Sequence, residues 1–93
     1  MKAKIAKDAK NLMDIPNVGE AVARDLRRIG ITAPTQLKGK DGLALYHKLN
    51  KVTGMRHDPC MADVLMAVVD FMNGGTPKPW FAFTSRRKKL LRL

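Results

Sequence analysis

The most reactive side chains of the sequence fall in one short cluster, Arg56-His57-Asp58-Pro59-Cys60. His57 and Cys60 are three residues apart, so they could act as metal ligands or as a nucleophile with its base. A metal site needs three or four ligands, and only Asp58 could add to this pair. Next to Arg56 at a helix N-terminus, the Cys60 thiol could be activated. The alternative, which we favour, is that Cys60 packs as a small apolar residue.

Outside this cluster the sequence contains few residues that could do catalytic chemistry. The sequence contains no P-loop, no dinucleotide-binding fingerprint and no paired carboxylates beside a base. We therefore expect no enzymatic activity, no cofactor and no metal. A redox or hydrolytic role for Cys60 stays as a third hypothesis, which slow labelling of the native thiol would remove.

A second candidate site is the stretch Ile15-Pro16-Asn17-Val18-Gly19-Glu20. Pro16 stops a preceding helix near Asp14, because the residue before a proline avoids helical backbone. Asn17 and Gly19 tolerate left-handed backbone, and Ile15 and Val18 are apolar enough to anchor the turn in a core. The amides of Val18 and Gly19 would then face a helix N-terminus, where a phosphate can bind.

Glu20 argues against that use of the turn. A carboxylate in the first helical turn stabilises the helix by about 0.3–1 kcal/mol, but it repels an incoming anion. The alternative is a purely structural turn, and the sequence leaves both interpretations open.

The turn resembles the helix-hairpin-helix family, whose pattern is apolar-Pro-Gly-apolar-Gly followed by a helix with regularly spaced small and apolar residues. The matching residues are Ile15, Pro16, Val18, Gly19, Ala23, Leu26 and the closing Gly30-Ile31. Asn17 stands where the family usually has its first glycine. The resemblance implies binding to the DNA backbone without sequence readout, although other members of this shape bind only proteins.

A longer resemblance covers Asp14 to Gly75. It includes Thr32-Ala33-Pro34-Thr35-Gln36-Leu37 and the cluster from Arg56 to Cys60. This run is similar to the small bacterial "pathogenicity locus" (Cdd1-type) proteins, some of which carry a mitomycin-resistance label.

Apolar periodicity predicts the fold class. We expect an all-α protein of about five short helices in one compact domain containing a helix-hairpin-helix (SAM-like) unit. The predicted segments are Ala3–Met13, Glu20–Ile29, Ala33–Leu37, Gly42–Val52 and Pro59–Asn73. The last is apolar around most of its circumference and should be central. Residues 1–84 form the predicted domain, and residues 85–93 a basic, flexible tail.

Charge and composition point to a partner. The net charge is +10, of which residues 1–10 carry +3, residues 76–93 carry +6 and the middle only +1. Basic ends favour nucleic acid, whereas the nearly neutral middle does not. One cysteine fits a reducing, cytoplasmic location, and no apolar run is long enough to span a membrane.

Together these features predict sequence-independent binding of duplex DNA through its backbone phosphates. The predicted phosphate-binding residues are Asn17, Val18, Gly19, Lys10, Arg24, Arg27, Arg86, Arg87, Lys88 and Lys89. The alternative is a protein-interaction module on the same fold, without nucleic acid. Trp80, Phe81 and Phe83 are expected to cover the core, with base stacking on single strands as the other interpretation.

Overall fold

The computed structural model describes residues 1–92, whose regular elements are all helical, with no β-strand. The four α-helices are α1 (Glu20–Arg28), α2 (Gly42–Thr53), α3 (Cys60–Met72) and α4 (Thr84–Leu91). Short 3-10 turns lie at Ala6–Asp8, Leu12–Asp14, Pro34–Leu37 and Trp80–Phe83. The predicted all-α class is confirmed, but the described residues contain four α-helices rather than five. None of these helices has the length and apolar character needed to cross a bilayer.

The central element is α3, as its apolar circumference predicts. Nine of its 13 residues are buried, including Leu65, Val68 and Phe71. Helix α2 crosses α3 at very close range, because Gly42 has no side chain to separate it from the backbone of Met66. A helix covered on several sides can carry apolar residues on nearly every face.

Helices α1 and α2 each bury one apolar face, with α2 packed on α3 and α1 packed on α2. Leu26 of α1 and Leu49 of α2 are fully buried. Asp41 begins α2 by accepting the amide of Leu43 at 3.1 Å, and Gly54 ends it in the left-handed region with φ of 71°. Val52, near the end of α2, is exposed.

The predicted helix over Ala3–Met13 is wrong. This segment contains only the two 3-10 turns, and Ile5 and Met13 are exposed. The carboxylate of Asp14 accepts the amides of Lys10 and Asn11, each at 2.9 Å. An isolated helix of this length is marginal in water, so local side-chain bonds of this kind outcompete it.

The C-terminal segment returns along α3. The predicted covering of the core by aromatic residues is confirmed for Phe83, which is 8% exposed, but Trp80 and Phe81 are 36% and 64% exposed. Most of the predicted tail is helical in α4, and Leu93 lies outside the described residues.

Candidate nucleic-acid interface

The turn formed by residues 15–19, directly before α1, is called the hairpin here. It is anchored by two buried apolar side chains. Ile15 and Val18 are completely buried, and the Val18 amide donates to the Ile15 carbonyl at 3.1 Å. Asn17 adopts the predicted left-handed conformation, with φ of 74°. The Val18 amide, which we predicted to hold a phosphate, is therefore committed to closing the turn.

Gly19 leaves the N-terminus of α1 open. Its φ of −100° is accessible to any residue, so its backbone angle does not require glycine. A Cβ atom there would meet nothing within 4 Å, and no side chain caps the helix. The first helical bond runs from the Ala23 amide to the Gly19 carbonyl at 2.9 Å, so the amides before Ala23 precede the hydrogen-bonding pattern of the helix. Glu20, which is exposed, stands in the same turn.

The side chain of Asn17 binds a segment 61 residues further along the chain. Its Nδ2 donates to the Lys78 carbonyl at 2.8 Å, and its Oδ1 accepts the Trp80 amide at 3.2 Å. A glycine could make the same turn but not these two bonds. Asn17 therefore positions the chain on either side of Pro79 and is not free to hold a phosphate with its side chain.

Lys2 is a cation at the hairpin that sequence reasoning missed. Its ammonium donates to the Met13 carbonyl at 2.6 Å and also to the Val18 carbonyl. Lys2 precedes the predicted helix Ala3–Met13, and it reaches these carbonyls where that segment forms 3-10 turns instead.

The exposed basic side chains include most of those predicted. Lys10, Arg24, Arg27, Arg86, Lys88 and Lys89 are all exposed. Arg28 forms an i,i+3 ion pair on α1, with its Nη1 3.5 Å from Oδ1 of Asp25. Within residues 1–92 no ion pair joins Arg24 to Glu20, four residues before it, so Arg24 keeps its charge available on the surface.

Arg87 is the clear exception among the predicted DNA-binding residues. It is 5% exposed, and its Nε lies 2.8 Å from Oδ1 of the fully buried Asp63. Thr84 Oγ1 donates to the other oxygen of Asp63 at 2.7 Å. The hydrogen bond to Asp63 raises the pKa of Arg87 above its ordinary value. Arg87 therefore fastens α4 to α3 and is not exposed with the other side chains predicted to bind DNA.

The His57–Cys60 pair does not form in the described residues. His57 Nδ1 lies 2.8 Å from the side-chain oxygen of Asn50, and no hydrogen bond joins its ring to Cys60. Cys60 is hydrogen-bonded to Asp58 instead, and this bond, together with burial and the Asp58 charge, raises the pKa of the thiol. No group of three or more His, Cys, Asp and Glu suited to a metal ion occurs in residues 1–92.

We predict that Cys60 reacts slowly with iodoacetamide at neutral pH, because the thiolate is the reacting form and its pKa is raised. Replacing Asp58 with asparagine removes the charge that disfavours the thiolate. The alkylation rate of D58N should therefore rise at a lower pH than that of the wild type, measured by mass spectrometry across a pH series. Equal pH profiles for the two proteins would contradict this account of the thiol.

The fold and the hairpin define a class of protein, a small all-helical domain with an open helix N-terminus beside a buried turn. The family model described as "Pathogenicity locus" (Cdd1) matches residues 5–89, and the chain belongs to this family. The chain is also 42% identical over 84 residues to the mitomycin resistance protein McrB of Streptomyces lavendulae, a match covering 90% of this chain and 80% of that protein. No solved structure matches the chain.

Proposed function

We propose that this protein binds DNA without reading its sequence, by holding a backbone phosphate at the N-terminus of α1. The observation that carries the proposal is the uncapped, unobstructed start of α1 at Gly19. Amides at a helix N-terminus point outward and lie at the positive end of the helix dipole, which favours a bound anion. The glycine leaves room for a phosphate to approach the backbone.

The turn Leu12–Asp14, the hairpin and α1 would together act as a shortened helix-hairpin-helix. One 3-10 turn replaces the first helix, and the buried Ile15 and Val18 hold the hairpin rigidly. Arg24 and Arg27 lie on α1 itself, and the ammonium of Lys2 lies at the hairpin. These cations would add long-range attraction to the short-range amide contacts.

The salt dependence of binding tests the part that the basic ends play. Removing residues 85–93 would also remove Arg87 and leave the buried Asp63 without this partner, so substitutions are the better probe. We expect the triple variant Arg86→Ala, Lys88→Ala, Lys89→Ala to reduce the slope of log K against log salt by about 0.9 for each duplex phosphate that these side chains neutralise in the wild type. Fluorescence anisotropy at several salt concentrations gives the slope, and an unchanged slope would exclude α4 from binding.

Glu20 should weaken binding and stabilise the fold at the same time. We expect Glu20→Gln to raise the affinity for duplex DNA about two- to fivefold, because a negative charge near the phosphate is removed. The same change should lower the free energy of unfolding by about 0.3–1 kcal/mol through the helix dipole. Asp8→Asn is the matched control, since it removes an exposed negative charge outside α1. An equal gain in affinity from both variants would show that net charge alone, and not the position of Glu20, determines the affinity for DNA.

A second candidate function is protein binding, favoured by the exposed apolar side chains of Val52 and Met55 at the end of α2. This surface lies on a different part of the chain from the hairpin. Val52→Gln keeps the net charge and leaves the hairpin intact, so it should leave DNA binding unchanged under the leading proposal. Failure of the wild-type chain to bind DNA at low salt would shift the search to a protein partner of this surface.

The relative from Streptomyces lavendulae suggests a biological setting. We propose that this chain, like its relative by name, contributes to resistance against mitomycin. Survival of a mitomycin-sensitive bacterial strain that expresses the chain tests this proposal, and unchanged survival would contradict it.

A further inference from the structure

Two exposed aromatic side chains stand next to the hairpin without covering the core. Trp80 and Phe81 contact each other edge to face, with ring centroids 5.8 Å apart and an interplanar angle of 83°. Such a contact covers only one ring face, and Trp80 and Phe81 stay 36% and 64% exposed. Phe83, two residues on, supplies the buried contact that a covering segment needs. The exposed pair therefore needs another explanation.

The hairpin itself holds this pair in place. Asn17 binds the Lys78 carbonyl and the Trp80 amide, so the backbone of Trp80 is fixed to the turn that leads into α1. Lys78 adds a second anchor, since its ammonium lies 2.8 Å from Asp70 of α3. The backbone that carries the aromatic pair is therefore tied by two hydrogen bonds to the turn that leads into the candidate phosphate site.

The charge of the segment that carries the pair indicates the kind of partner. Residues 76–93 carry six basic residues and no acidic residue, and Arg86, Lys88 and Lys89 on the following helix are exposed. Exposed aromatic rings among cations are the combination that binds single-stranded nucleic acid, because bases stack on the rings while phosphates meet the cations. An uncharged apolar partner would gain nothing from this excess of positive charge.

We propose that Trp80 and Phe81 stack against unpaired bases, so that the protein prefers DNA in which a duplex meets a single strand. The inference rests on the proposed function, because the phosphate held at α1 would belong to the same DNA. Asn17 is a positioning residue in this arrangement, and Trp80 and Phe81 make the contact.

Trp80 is the only tryptophan of the chain, so its fluorescence reports directly on the contact. The experiment titrates the full chain with a blunt duplex and with the same duplex carrying a single-stranded overhang. We expect the overhang DNA to bind more tightly and to quench Trp80, whereas the blunt duplex binds without quenching. Phe81→Leu keeps an apolar side chain but loses the ring, and it should reduce affinity for the overhang DNA about 5- to 100-fold. Phe81→Tyr should retain the affinity.

Asn17→Gly provides a second variant that keeps the left-handed turn and removes both bonds to the 78–80 segment. It should lose both the preference for overhang DNA and the quenching of Trp80. Equal affinity for the two DNAs without quenching would overturn the stacking proposal and leave DNA binding intact. Absence of binding to either DNA would overturn the proposed function as well. A Trp80 response to vesicles of anionic phospholipid, with none to DNA, would assign the pair to a lipid surface instead and overturn the proposal.

Discussion

Replacing Asp63 with alanine is expected to lower the free energy of unfolding by about 3–5 kcal/mol, a large part of the stability of a small domain. Asp63 is fully buried and binds Arg87 and Thr84, both on α4. Alanine deprives a buried guanidinium of this carboxylate, and removing one partner of a buried ion pair costs far more than the pair contributes. We expect α4 to detach from α3 at lower denaturant concentration than in the wild type.

Asp70 supplies a matched control on the same helix. It pairs with Lys78 at 2.8 Å, but the two side chains are 37% and 41% exposed. Asp70→Ala should therefore cost no more than about 1 kcal/mol. Urea unfolding followed by circular dichroism gives both values. Equal losses for Asp63→Ala and Asp70→Ala would show that the buried network does not stabilise the fold as described.

Gly42→Ala is the second substitution with a large expected effect. Alanine normally favours a helix over glycine, but a Cβ at this position would lie 2.6 Å from the Cα and the amide nitrogen of Met66. These are backbone atoms of α3, so the helices must move apart to admit one methyl group. We expect a loss of about 1–3 kcal/mol in the free energy of unfolding.

Gly19→Ala is the control for that experiment, because a Cβ at Gly19 meets nothing within 4 Å. Thermal unfolding of the two variants should show a clear decrease in Tm for Gly42→Ala and a much smaller change for Gly19→Ala. A Gly42→Ala variant as stable as the wild type would mean that α2 and α3 do not cross at this distance in solution.

The sequence predicted the elements whose signals are local. Helices α1, α2 and α3 begin and end within one or two residues of their predicted limits. Apolar periodicity indicates all three helices, and Asp41 and Gly54 lie at the two ends of α2. The N-terminal segment shows the same periodicity and yet is not an α-helix. In that segment the Asp14 carboxylate accepts backbone amides, and Lys2 donates to carbonyls at the hairpin. The spacing of apolar residues gives no information about these two sets of hydrogen bonds.

The candidate site was predictable only in its backbone. The buried Ile15 and Val18 and the left-handed Asn17 follow from residue types in a turn. The bonds of Asn17 to the 78–80 segment do not, since they join residues more than 60 positions apart. The role of Arg87 was unpredictable for the same reason. Nothing in the sequence distinguishes it from the other basic residues of its run, and only the fold brings the buried Asp63 beside it.

Gly19→Asp tests most directly whether the N-terminus of α1 binds a DNA phosphate. An aspartate at this N-cap position can accept amides of the first turn, so the fold should be as stable as the wild type or more stable by a few tenths of a kcal/mol. The same carboxylate would occupy the phosphate position and should abolish binding. Ala44→Asp, on the exposed side of α2, adds the same charge elsewhere.

The measurement is fluorescence anisotropy of labelled duplex DNA with the three full-length proteins at one salt concentration. We predict that the wild type and Ala44→Asp bind with similar affinity and that Gly19→Asp does not bind, although it unfolds at the same or a higher temperature. Equal binding by Gly19→Asp and Ala44→Asp would contradict the account and assign any DNA affinity to the basic ends alone.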